Sequence, residues 1–116
     1  MKEALRVAID EAFQQAEQSM WEKRSGDAFR WLERAHILTQ QQPYLHARSH
    51  WMMLKLGWQT RDYREVAGQF PRIIAALLFS KIWVPAGNTG RARVSAFTPM
   101  PLTEELQVLL GKDASI

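Results

Sequence analysis

Leu5, Ile9, Ala12, Ala16 and Met20 recur at intervals of three and four between polar residues, the spacing that places them on one stripe of an α-helix. A first helix is expected over about 2–20. Ser25-Gly26-Asp27 interrupts the pattern, and Asp27 can cap a second helix over about 28–40 with Ala28, Leu32, Ala35 and Thr39 on its stripe and Phe29 and Trp31 at its flanks. Gln41-Gln42-Pro43 ends it. Proline suits the first turn of a helix, and about 44–59 runs without a breaker until Gly57. Two apolar stripes share this third helix, Leu45-Ser49-Met52-Leu56 and Ala47-Trp51-Leu54-Trp58, so it should be central. Asp62 followed by Glu65 resembles a capping box for a fourth helix over about 62–82, with a stripe of Val66, Phe70, Ile73 and Leu77 and a bend near Phe70 forced by Pro71.

Periodicity stops after Trp83. Pro85-Ala86-Gly87-Asn88-Thr89-Gly90 favours a loop, Arg91 to Phe97 alternates weakly like a short extended piece, and Thr98-Pro99-Met100-Pro101 forbids helix. The segment 85–101 reads as a loop and strap lying across the helices. A short last helix follows over about 103–110, with Leu106, Leu109 and Leu110 able to dock, and 112–116 should fray. The expected fold is all-α: one helical domain over 1–116 with a compact antiparallel four-helix arrangement of two hairpins, the strap, and a short terminal helix. The hairpins also invite a tetratricopeptide-like reading, because Gly26-Asp27-Ala28-Phe29 aligns with Arg61-Asp62-Tyr63-Arg64 at an offset of 35.

Composition narrows the chemistry. With no cysteine among 116 residues there is no disulfide or thiolate site, so a metal would need His, carboxylate or Met. The charged N-terminal stretch and the shortness of the apolar run Ile73 to Phe79 point to a cytoplasmic protein without a membrane partner. A formal charge of +3, spread rather than blocked, argues against nucleic acid and leaves a protein partner or a second copy of the chain open.

All three histidines fall between Trp31 and Trp58. His46 and His50 are four apart and project from one side of the third helix, a spacing by which helical imidazoles bind transition metals. If the second and third helices fold back about Gln42, His36 comes level with them. Glu33, three residues before His36, could then assist as a fourth ligand for Zn, Cu, Ni or Fe. The alternative is that these are ordinary hydrogen-bonding or surface histidines near a turn, since they lie on the helix flanks. Met52, Met53 and Met100 could offer thioethers to Cu⁺, but Met52 sits on a core stripe and reads as filler. Gly87, Asn88, Thr89 and Gly90, followed by Arg91 and Arg93, could cradle an anion, though the loop lacks a Walker ending. No nucleophile, base and oxyanion hole come together around Ser49, and a di-iron centre would need more inward carboxylates than Glu33. The chain reads as a metal-binding protein rather than an enzyme, with a tetratricopeptide-like interaction module as the alternative.

Trp31 to Gln40, His46 to Leu54, Gly68-Gln69 and Pro85 to Pro101 together resemble an uncharacterised bacterial family, domain of unknown function 3703. That resemblance implies small, cytoplasmic, helical bacterial proteins encoded near metal-resistance genes, with no established activity. It also implies that the histidine block and the Gly-Asn-Thr-Gly tail form one unit, the tail closing over the hairpin of the second and third helices.

Overall fold

The computed structural model describes residues 1–111; the expected fraying of 112–116 lies outside them. Five helices follow in order: α1 (Glu3–Trp21), α2 (Ser25–Thr39), α3 (Pro43–Gln59), α4 (Tyr63–Phe79) and α5 (Glu104–Leu109). Each long helix packs on its neighbour in the chain, α1 on α2, α2 on α3 and α3 on α4, and α5 returns to α1. Among the described residues there is no strand.

The α1 and α2 stripes bury as their periodicity predicts. Ile9, Ala12, Phe13 and Ala16 pack with Ala28, Leu32, Ala35 and Leu38, and Met52, Met53 and Leu56 of α3 complete the core. Leu106 joins it from α5, with Leu109 and Leu110 packed alongside. Pro43 starts α3 as expected. The start of α2 is corrected: the helix begins at Ser25, three residues before the expected Ala28, and Asp27 lies in its first turn rather than capping it. There Asp27 pairs with Arg24 and Arg30, and a first-turn carboxylate also suits the helix dipole.

Both hairpins turn through the same motif. Lys23 and Arg61 each adopt a φ of 59°. The bonds Glu22 N to Gln18 O, Lys23 N to Met20 O and Arg24 N to Ser19 O recur as Thr60 N to Leu56 O, Arg61 N to Trp58 O and Asp62 N to Gly57 O. This is a left-handed helix terminus used twice. The repeat offset is therefore 38, from Lys23 to Arg61, and not the 35 suggested by matching Asp27 with Asp62.

α3 is central, but only Ala47 and Leu54 of its second expected stripe are buried. Trp51 and Trp58 are exposed, while His46, His50, Met53 and Gly57 turn inward. A Cβ at Gly57 would stand 3.1 Å from the Glu65 side chain, so the glycine lets α4 come close.

α4 carries the largest correction. Its expected apolar stripe does not form the core: Phe70 and Leu77 are exposed, along with Ile74, Leu78 and Phe79. The buried positions are Glu65, Gln69 and Ala76, followed by Ser80 just beyond the helix. The helix also ends at Phe79 rather than 82, and it runs on through Pro71 without restarting. Pro71 and Ala67, whose carbonyl loses its N–H partner, are both exposed, so water can satisfy that carbonyl.

The strap runs through successive turns instead of the expected extended piece. Arg91 bonds Glu65 of α4, reaches Glu33 of α2 and stacks on the Phe29 ring. Arg72 donates to Val94 O, and Gln40 donates to Pro85 O. These contacts tie the strap to both α2 and α4 across α3.

Candidate metal centre

The α2–α3 hairpin folds about Gln42, and the flanks bearing the histidines face one another. His36, His46 and His50 are all buried, and one ring nitrogen from each lies within 4.8 Å of the others. His46 Nε2 is 3.0 Å from His36 Nε2 and 3.1 Å from His50 Nε2.

The opposite ring nitrogens define the protonation. His36 Nδ1 lies 2.7 Å from Asn88 O, a carbonyl that can only accept, so this nitrogen carries the hydrogen. Gln69 donates through Nε2 to Glu65 Oε2 and Gly90 O, which fixes its amide orientation and turns Oε1 towards His50 Nδ1 at 2.6 Å. Ser80 donates its hydroxyl to Ala76 O and accepts from His46 Nδ1 at 2.8 Å. Each neutral imidazole therefore donates outward through Nδ1 and presents an Nε2 lone pair to the centre.

Three lone pairs that close repel one another unless a positive charge lies between them. Protonation is disfavoured there: burial first, then the neighbouring histidines, hold His36 well below its ordinary range. Burial lowers His46 to about 4, and burial with the adjoining His46 lowers His50 to about 3. Tetrahedral zinc, with Zn–N of about 2.0–2.1 Å, would space its nitrogens about 3.3 Å apart, within a few tenths of an ångström of the two separations from His46 Nε2.

The strap locks this arrangement. Asn88 is 1% exposed; it donates to Ser95 O and Thr98 O and accepts from Gly90 N. Gly90 lies flat on His36: its φ is 82°, and a Cβ there would stand 2.6 Å from the ring. Glu65 forms an outer layer, accepting from Gln69 Nε2, Ala92 N and Arg91 Nε. Asp62 caps the start of α4, accepting from Glu65 N at 3.2 Å. Only half of the expected capping box forms, because the Glu65 carboxylate turns inward.

Glu33 does not join the three histidines. Its carboxylate faces Arg91 at 3.4 Å, and burial raises its pKa. The donors expected to hold an anion are engaged elsewhere. Gly87 N bonds Gln40, Gly90 N bonds Asn88, Arg91 bonds Glu65, and Arg93 bonds both oxygens of Asp62. Thr89 Oγ1 is buried without a partner, and Met100 contributes its carbonyl, not its thioether, to the packing against Gly87. Met53 Sδ meets Gln69 Nε2 at 3.4 Å, a supporting contact in place of a ligand role.

Gln69, Ser80 and Glu65 were not singled out as site residues by sequence, and Asn88 was singled out only for an anion, not as the partner of His36. Only the four-residue step from Glu65 to Gln69 offers a local signal, two polar residues on one helix face.

A search of curated proteins finds no match, and neither does a search of solved structures. The family described as "Protein of unknown function (DUF3703)" matches residues 3–110, so the chain belongs to that family.

Proposed function

We propose that this protein binds one divalent transition-metal ion through the Nε2 atoms of His36, His46 and His50, in metal handling rather than catalysis. The supporting observation is that all three Nδ1 atoms are hydrogen-bonded to acceptors, so all three Nε2 lone pairs converge. Outer-layer acceptors of this kind are what orient metal-bound imidazoles and raise their basicity. Neutral nitrogen ligands suit Zn²⁺, Cu²⁺, Ni²⁺ or Fe²⁺. Glu33 is assigned to Arg91 instead of the ion. Calorimetric titration of metal-free protein with Zn²⁺ should give one ion per chain, and His46→Ala/His50→Ala should abolish it; equal weak binding by both proteins would end this reading.

A second reading, a tetratricopeptide-like interaction module, is favoured by the twice-used hairpin turn and by the apolar outer face of α4. Such a module needs an apolar groove that the strap leaves uncovered, and strap bonds to both α2 and α4 count against one there, so only α4's outer face would remain as a docking surface. Sedimentation at rising concentration tests a second copy as partner. A dimer abolished by Ile74→Asp supports that reading, and a monomer throughout counts against it. No helix among the described residues is long and apolar enough to cross a membrane.

A further inference from the structure

A cavity of about 570 Å³ opens beside the histidines, between α4 and the strap. Its size falls within the range of small-molecule sites. All three histidines line it, together with Arg72, Phe79, Ile82, Trp83 and Phe97, and no Asp or Glu does. Arg72 is half-buried and spends two of its N–H groups on Gly68 O and Val94 O. A guanidinium has five, so three remain. Among the described residues Arg72 forms no ion pair. Glu65, the buried carboxylate on the same helix, is already paired with Arg91.

Charge balance follows from these placements. A divalent ion held by three neutral imidazoles keeps both its charges, and Arg72 adds a third beside the same apolar space. The outer layer of Glu33, Glu65 and their shared Arg91 offsets only one of these. Buried charge of one sign calls for an opposite charge. Three protein ligands also leave a tetrahedral ion one open position.

We propose that this cavity takes an apolar carboxylate, whose head group fills the fourth position on the ion and pairs with Arg72 while its hydrocarbon part packs against Phe79, Ile82, Trp83 and Phe97. This rests on the metal-binding reading above. The carboxylate is exchangeable and no bond in it is made or broken.

Protein loaded with Co²⁺ is titrated with octanoate and, separately, with acetate, read by calorimetry and by the visible absorption of the ion. Octanoate should bind at least about tenfold more tightly than acetate, since its longer hydrocarbon chain leaves water for the apolar wall. It should bind at least about tenfold more tightly to loaded than to metal-free protein and should shift the Co²⁺ band, because carboxylate oxygen is a ligand for such ions. Arg72→Gln should weaken octanoate at least about tenfold with one Co²⁺ still bound. Ala75→Trp, at an exposed position on the cavity wall, should block octanoate while leaving Arg72 in place, and it carries the test if Arg72→Gln does not fold. Equal binding of octanoate and acetate, or equal octanoate binding with and without Co²⁺, overturns the proposal and leaves the metal centre standing. Failure to bind Co²⁺ at all overturns both.

Discussion

Gln69 accepts the Nδ1 hydrogen of His50 at 2.6 Å, so an amide on α4 decides which nitrogen of an imidazole on α3 faces the centre. Gln69→Leu removes that acceptor and also strips donors from Glu65 and Gly90 O. Zn²⁺ affinity should fall about 10–100-fold, the usual cost of losing such an outer partner. A competition titration against a chromophoric chelator measures it, and unchanged affinity would mean that Gln69 does not orient His50.

The metal-free protein should weaken in mild acid. Each histidine titrates lower in the fold than its ordinary value of 6.5, with His46 near 4 and His50 near 3. Below that ordinary value the unfolded chain binds more protons than the native one, so this stability is fully present above it. It is lost progressively as pH falls towards the folded values, by up to about 1.4 kcal/mol per pH unit for each histidine. Urea unfolding at about pH 7.5 and about pH 5 reads the difference. Equal midpoints would show that the imidazoles are not buried neutral.

Gly90→Ala places a Cβ 2.6 Å from the His36 ring on a backbone with φ of 82°. Steric strain and displacement of the imidazole together should cost about 2–3 kcal/mol of stability and weaken metal binding in the same variant. Thermal unfolding with and without Zn²⁺ separates the two effects.

Glu33 and Glu65 both meet Arg91 but should respond differently to substitution. Glu33→Gln should leave Zn²⁺ affinity within about threefold and stability within about 1 kcal/mol, because its ion pair is partly exposed. Arg91→Met should cost about 3 kcal/mol, because Glu65 is fully buried and loses its cation. A large loss of metal affinity in Glu33→Gln would restore it as a ligand.

Much of this was legible in sequence where side-chain chemistry and burial agree. Ile9, Ala12, Leu32 and Ala35 are apolar at helical spacing and form the core. The step from His46 to His50, with a turn at Gln42, was enough to expect convergence with His36. Periodicity misled on α4, because its inward face holds Glu65 and Gln69 against the histidines and its apolar residues face outward. A stripe rule assumes that polar side chains seek water. Here they are satisfied by one another and by strap carbonyls that only the folded chain brings near, such as Asn88 O and Gly90 O. Glu33 and Glu65 were likewise assigned by local spacing, while Arg91, which lies 58 residues beyond the first and 26 beyond the second, determines where both carboxylates go.

The most direct test is anomalous diffraction from a crystal of the protein soaked in Zn²⁺. One peak is expected at about 2.0–2.1 Å from the Nε2 atoms of His36, His46 and His50, with Glu33 still on Arg91. A peak bound elsewhere, or no peak at a histidine cluster that keeps its geometry, would contradict the metal centre.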